Sequence, residues 1–306
     1  MLEPKARHGY GLDGQWSDDF HHAVRTLLTG ERDGYYVDYG DMAHLVRVMR
    51  EGYGFTGEFS VFRRRRHGIS ARHIPARRFV VCIQNHDQVG NRMFGDRLSA
   101  VLDFEGLKLA AGILLLSPFL PLLFMGEEYG ETAPFPYFVS HTDVDLVEAV
   151  RRGRREEFAA FAWQGEPPDP QSEATFNSAK LNHPLRETGQ HQALLKLYTE
   201  LLHLRKTLKP LSNLSKDHQE VVGYEQHKTL YLHRWHDEEA VFAVFNFGDQ
   251  SASLLLPTPA GEWHKILDSA AWGTSRSPEE ADQIAASGEI SLTVAPKAFV
   301  LYRRKV

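Results

Sequence analysis

Phe79-Val80-Val81-Cys82-Ile83-Gln84-Asn85-His86-Asp87-Gln88-Val89-Gly90-Asn91-Arg92 passes from five apolar residues into a polar cluster without a break. A short continuous apolar run rich in β-branched residues suits a strand buried on both faces, the setting of a parallel sheet, better than a half-exposed one. Residues 104–116 then predict a buried helix, and 120–125 a second buried strand that ends at Gly126, Glu127 and Glu128. Strand, helix and strand in this order predict a parallel α/β unit.

Upstream, residues 1–15 carry Gly9, Gly11 and Gly14 among charges and read as a loop entering something already under way. Phe20, Val24, Leu27 and Leu28 recur at helical spacing behind Asp18 as N-cap, and Gly30 supplies the stop. A second helix is expected over 41–50, closed by Gly52. Downstream, 144–161 reads as a helix and 166–170 as a Pro-rich link. Residues 192–208 read as a helix with a broad leucine face, ended by Pro210. From about Ser215 the texture changes to short segments at 221–224, 230–235, 241–247, 253–256, 263–267, 290–294 and 299–302. Six or seven short strands with turn residues between them predict a small antiparallel β-sandwich.

The 306 residues, 42% hydrophobic and 25% charged, are ordinary globular material, which excludes the disordered and fibrous classes. A formal charge of −5 leaves no basic excess for phosphates, so neither a nucleic acid nor an anionic membrane is expected as a partner. The longest apolar run, around 113–125, is interrupted by Ser117, Pro118 and Pro121 and is too short to span a bilayer. The single cysteine, Cys82, reads as an inert buried thiol, and no secretory leader pattern is present, so the cytoplasm is the expected compartment.

The polar cluster at 84–92 carries the chemistry. In α/β barrels the C-terminal strand edge is where catalytic groups gather, because the βα loops converge there. A blander reading has Asp87 capping the next helix while Asn85 and His86 satisfy loop backbone. Trp16, Tyr35, Tyr36 and Phe62 suit either core or stacking on sugar faces. The basic run from Arg63 to Arg66 reads as a solvated loop rather than a phosphate site. Asp18 and Asp19 with His21 and His22 lack the spacing of a metal site. Glu127 and Glu128, adjacent in an extended segment, would point to opposite sides and are read as barrel-rim residues.

The string Gln84 to Arg92 is similar to the region of the α-amylase superfamily that supplies its third acidic residue. Gly11-Leu12-Asp13-Gly14-Gln15-Trp16-Ser17-Asp18-Asp19-Phe20-His21-His22, Gly34-Tyr35-Tyr36, Phe62-Arg63-Arg64 and Leu123-Phe124-Met125-Gly126-Glu127-Glu128-Tyr129-Gly130 resemble, in this order, the malto-oligosyltrehalose trehalohydrolase family. The resemblance covers nearly the whole chain and implies the C-terminal half of a (β/α)8 TIM barrel followed by the β-sandwich, with domains at 1–214 and 215–306. It makes Asp87 the transition-state stabiliser, and His86, Asn85, Gln88, Trp16, Asp19, Tyr35, Phe62 and Arg63 substrate-binding. A carboxylate beside developing positive charge stabilises an oxocarbenium-like transition state, which agrees with that role.

The implied reaction releases trehalose from maltooligosyl trehalose by a retaining mechanism, with no metal or organic cofactor and an α-glucan as partner. Retention needs a nucleophilic carboxylate and an acid/base carboxylate about 5 Å apart. In the family these precede the Trp16 segment, and here only Glu3 and Asp13 do, neither behind an apolar run. An incomplete chain is expected, with an open barrel that exposes strand edges and favours the missing N-terminal half as a partner. Open alternatives are a fragment of an α-amylase or glucan branching enzyme, a non-catalytic glucan-binding remnant, and half of a split enzyme.

Overall fold

The computed structural model, which describes residues 1–160, 166–273 and 283–305, opens on a loop and a short strand, β1 (Gln15–Trp16). Helix α1 (Asp18–Thr29) follows and ends at Gly30, left-handed at φ 73°. Asp18 is the first helical residue rather than the cap: Ser17 holds the N-cap position, and its hydroxyl donates to the Gly52 carbonyl at 2.6 Å instead of closing the helix. Helix α2 (Met42–Glu51) runs from Asp41 to Gly52, as its spacing predicts. Gly52 is needed twice over. Its φ of 97° disfavours any side chain, and an added Cβ would lie 2.4 Å from the ring of Phe79.

After a hairpin of β2 (Thr56–Ser60) and β3 (Arg65–Gly68), the decisive apolar run forms β4 (Phe79–Val81). Then come α3 (His86–Gly90), α4 (Phe104–Leu116) and β5 (Leu120–Pro121). Strand β4 pairs in parallel with β1 through Phe79 and Val80, and with β5 through Val80 and Val81. The three-stranded sheet therefore runs β1-β4-β5 with β1 and β5 at its edges. Strand β5 is shorter than the expected 120–125. Pro121 offers no N–H, so one further bond from Leu122 N to Val81 O, 2.8 Å, ends the pairing, and the chain turns at Gly126. This turn overturns the extended placement of Glu127 and Glu128, which sit instead in a single 3-10 turn.

From Leu109 to Leu116 helix α4 is apolar on all sides because that stretch is buried on all sides. One flank meets α7 (Gly189–Thr207), which lies beyond α5 (Val144–Ala160) and α6 (Glu173–Ser178); residue 161 of the expected helix lies outside the described residues. The other flank meets the C-terminal β-structure so closely that a Cβ on Gly112 would fall 2.4 Å from the Phe299 ring. The C-terminal carbonyls of α4 are closed by two buried arginines. Arg205 of α7 donates to Leu115 O at 2.6 Å, Ser117 O at 2.7 Å and Phe119 O. Arg234 donates to Leu116 O at 2.9 Å and Ser117 O at 3.0 Å.

A short helix α8 (Lys209–Ser212) leads into the β-region. Its strands are β6 (Gln219–Tyr224), β7 (Thr229–His236), β8 (Glu239–Asn246), β9 (Ala252–Leu256), β10 (Gly261–Asp268), β11 (Gln283–Ala286), β12 (Ile290–Val294) and β13 (Ala298–Arg304). Six of them form an antiparallel sheet ordered β11-β10-β13-β8-β7-β6, and β12 pairs with β9. Strands β7 and β8 read as almost continuous apolar runs because both faces are covered. Leu230, Leu232, Ala243 and Phe245 join the core shared with α4 and α7, while Tyr231, Phe242 and Val244 pack with Trp263 under the β9–β12 pair. Among the described residues no helix is long and apolar enough to cross a membrane.

Candidate functional site

The sharp change from Ile83 to Asn85 is what turns a buried strand into a site. Asn85, 2% exposed, caps α3: its side-chain oxygen accepts from the backbone N–H of Asp87 at 2.9 Å and of Gln88 at 3.1 Å. Asn85, not Asp87, therefore does the capping, and the Asp87 carboxylate is left 62% exposed at the strand's C-terminal end. His86, 55% exposed, sits beside it with Nε2 3.4 Å from the carboxylate, and Trp16 meets the His86 ring edge-on at 5.8 Å. Gln88 donates through Nε2 to Asp18 at 2.9 Å.

A second group lies beside the first. Tyr35 packs on His22 at 4.6 Å and on Tyr36 at 4.6 Å, and Phe62, half exposed, meets Tyr35 edge-on at 6.1 Å. Asp38 holds the loop that carries Phe62 and Arg63, accepting from the Val61 N–H at 2.7 Å, while Arg63 N–H donates to Ser60 Oγ at 3.0 Å. Burial holds the His22 imidazole down to about 4 against the opposing pull of Asp19, so at neutral pH it is an uncharged aromatic surface. Of the expected residues, Asp19 stands apart. It accepts from Tyr39 OH at 2.5 Å and Gly54 N at 2.7 Å, which ties α1 to the loop after α2.

Two residues that the sequence reading weighed only as a helix start and as metal ligands join these groups. His21 is fully buried, with Nδ1 2.6 Å from the Ile83 carbonyl and Nε2 2.8 Å from Tyr36 OH, so the aromatic group is tied to the strand that carries Asp87. Burial drives its imidazole well below the usual range, with His22 and Arg25 adding to the effect. Its position three residues before Val24 on the apolar face was the available signal. Asp18 accepts from Gln88, next in the chain to Asp87, and its carboxyl is raised by burial first and then by the charges of Asp19 and Asp87. No sequence signal separates that role from a helix start. Among the described residues no three potential ligands gather to hold a metal ion.

Behind this rim lies Glu127, buried beneath Tyr198 OH at 3.5 Å and close to Gln84 and Cys82. Burial pushes its carboxyl up to about 8, so it is protonated at neutral pH. Burial likewise raises the Cys82 thiol, which keeps it unreactive. A carboxyl raised in the folded state leaves stability intact below its unfolded value near 4.5 and erodes it as pH rises to about 8. Glu127→Gln removes that titration. In urea melts the variant should gain on wild type by on the order of 3 kcal/mol between about pH 5 and pH 8, and parallel pH profiles would dismiss this placement of the proton.

The family described as alpha amylase, C-terminal all-beta domain, matches residues 213–305. Malto-oligosyltrehalose trehalohydrolase of Rhizobium sp. (strain M-11) is 43% identical over 265 residues, 85% of this chain and 44% of that protein. The enzyme of the same name from Arthrobacter ramosus is 47% identical over 210 residues, 68% of this chain and 36% of that protein. A crystal structure of an alpha-amylase-like protein from Salmonella typhimurium, 33% identical, superposes with a TM-score of 0.78 over 95% of this chain and 47% of its own. The chain thus spans less than half the length of each of these relatives. Over most of its length it is a homologue of the malto-oligosyltrehalose trehalohydrolases, and it corresponds to the C-terminal part of an α-amylase-family protein, parallel β/α units followed by the all-β domain.

Proposed function

We propose that these residues serve a glycosidase that releases trehalose from maltooligosyl trehalose with retention of configuration. The observation that carries the reading is Asp87, a solvent-facing carboxylate beside His86 and Trp16 at the C-terminal end of a buried parallel strand. In this role Asp87 supports the oxocarbenium-like transition state. His86, Asn85 and Gln88 hold the same end of the sugar, and Tyr35, Phe62 and Arg63 line the neighbouring sugar positions with Trp16. Asp19 acts one step back, through the loop it ties down. The nucleophile and the acid/base carboxylate belong to the part of the relatives that this chain does not span, and that part is the proposed partner. The division proposed for the present residues is 1–214 for the β/α units and 215–306 for the β-domain.

The test is to co-express this chain with the N-terminal remainder of the Arthrobacter ramosus relative and supply maltooligosyl trehalose. The reading expects trehalose from the pair and none from either piece alone. Hydrolysis or branching of linear maltooligosaccharide in preference would reassign the site to an amylase or branching activity. Glucan binding by a well-formed pair without turnover would reassign it to binding.

A further inference from the structure

A cavity of about 630 Å³ opens at the other end of β4 from Asp87, between the segment that enters that strand and the link from α8 to β6. Its size is that of a small-molecule site. One wall belongs to the β/α part and the other to the start of the β-domain, so the whole site is made by this chain. Although the chain is acidic overall, three cationic residues line this space: Arg72, Arg77 and Lys216.

Lys216 is anchored. Its Nζ donates to Glu51 O at 2.8 Å and Ala71 O at 2.7 Å and lies over the Phe79 ring at 4.7 Å. Burial, together with the nearby charge of Arg72, holds its pKa down to about 8, against the pull of Glu51 and Asp217. The other two cations are uncommitted: among the described residues neither the Arg72 nor the Arg77 guanidinium makes a hydrogen bond or an ion pair. Glu51, whose charge acts on Lys216, is occupied by Ser70 Oγ at 2.7 Å and Ala71 N at 3.1 Å. His73 is occupied by Glu3. The opposite wall differs in character. Asn213, Ser215 and Asp217 offer amide, hydroxyl and carboxylate groups of the kind that bind sugar hydroxyls, and Asp217 is the sole acid in the lining.

Two free guanidinium groups match an oxyanion in planar, charge-assisted geometry, and the facing polar wall matches a polyol. We propose that this seam cavity binds a small phosphorylated sugar, its phosphate held by Arg72 and Arg77 and its hydroxyls by Asn213, Ser215 and Asp217. Such a ligand bridges the β/α part and the β-domain, away from the Asp87 rim and independently of what that rim does.

Isothermal titration of the full chain with glucose 6-phosphate, inorganic phosphate and glucose tests the proposal. Glucose 6-phosphate should bind saturably at one site, at least about tenfold more tightly than inorganic phosphate, with no saturable heat from glucose. Arg72→Ser with Arg77→Ser should weaken it at least about tenfold, and Asp217→Ala should narrow its advantage over inorganic phosphate. The substituted groups bear no internal bond of their own through Arg72 or Arg77, so unchanged thermal melts are expected. Absence of saturable binding, equal binding by the double variant, or equal affinity for inorganic phosphate would each overturn the assignment.

Discussion

In an enzyme completed by the part of the relatives that this chain does not span, Asp87→Asn is expected to lower kcat by about a hundred- to a thousandfold while KM changes far less. Asparagine keeps the shape and one acceptor but removes the charge, so what is lost is attraction that grows as the anomeric carbon becomes positive. The fold has little stake in this carboxylate. It is largely exposed, it lies 3.4 Å from His86 Nε2, and the local turn is held by Asn85 through backbone N–H groups that the substitution leaves in place. A thermal midpoint within a degree or two of wild type should therefore accompany the loss of turnover. Turnover within about twofold of wild type would remove Asp87 from the chemistry.

Arg205→Met is the largest expected effect on stability, a loss of about 3 to 5 kcal/mol in urea melts of the present chain. Three buried carbonyls at and just beyond the end of α4 accept from this one guanidinium, two of them from no other side chain among the described residues, and methionine fills the space without offering a donor. Burial holds the Arg205 side chain down to about 10 and, with Arg205 as neighbour, Arg234 down to about 9, so both stay charged at neutral pH. The negative end of the helix dipole is the counter-charge they share. Removing Arg205 leaves Leu115 and Phe119 unpaired, while Ser117 keeps its bond from Arg234. A shift below about 1 kcal/mol would mean that water or a relaxed backbone replaces those bonds.

Local chemistry was legible in the sequence where it acts within a few residues. Gly30 and Gly52 end their helices where the apolar spacing stops, and residues 104–116 form the expected buried helix without adjustment. The antiparallel strands were legible for the same reason, except β11, whose Gln283–Ala286 carries no apolar alternation. What escaped depends on partners far along the chain. Nothing near Arg205 or Arg234 points to carbonyls 90 and 118 residues away. In the site, the segment holding Asp87 was readable from the strand that delivers it. The link from Ile83 through His21 to Tyr36 was not, because a histidine on an apolar helix face is compatible with many partners.

The order β1-β4-β5 has a geometric corollary for anything that completes the sheet. All three strands point the same way, and among the described residues both outer strands keep an unpaired side. A strand added to either side in the same sense would deliver its last residue to the lip where Asp87 already stands, whatever its sequence. Direction alone would thus bring the residues that end such strands to one lip, however far apart they stand along the chain.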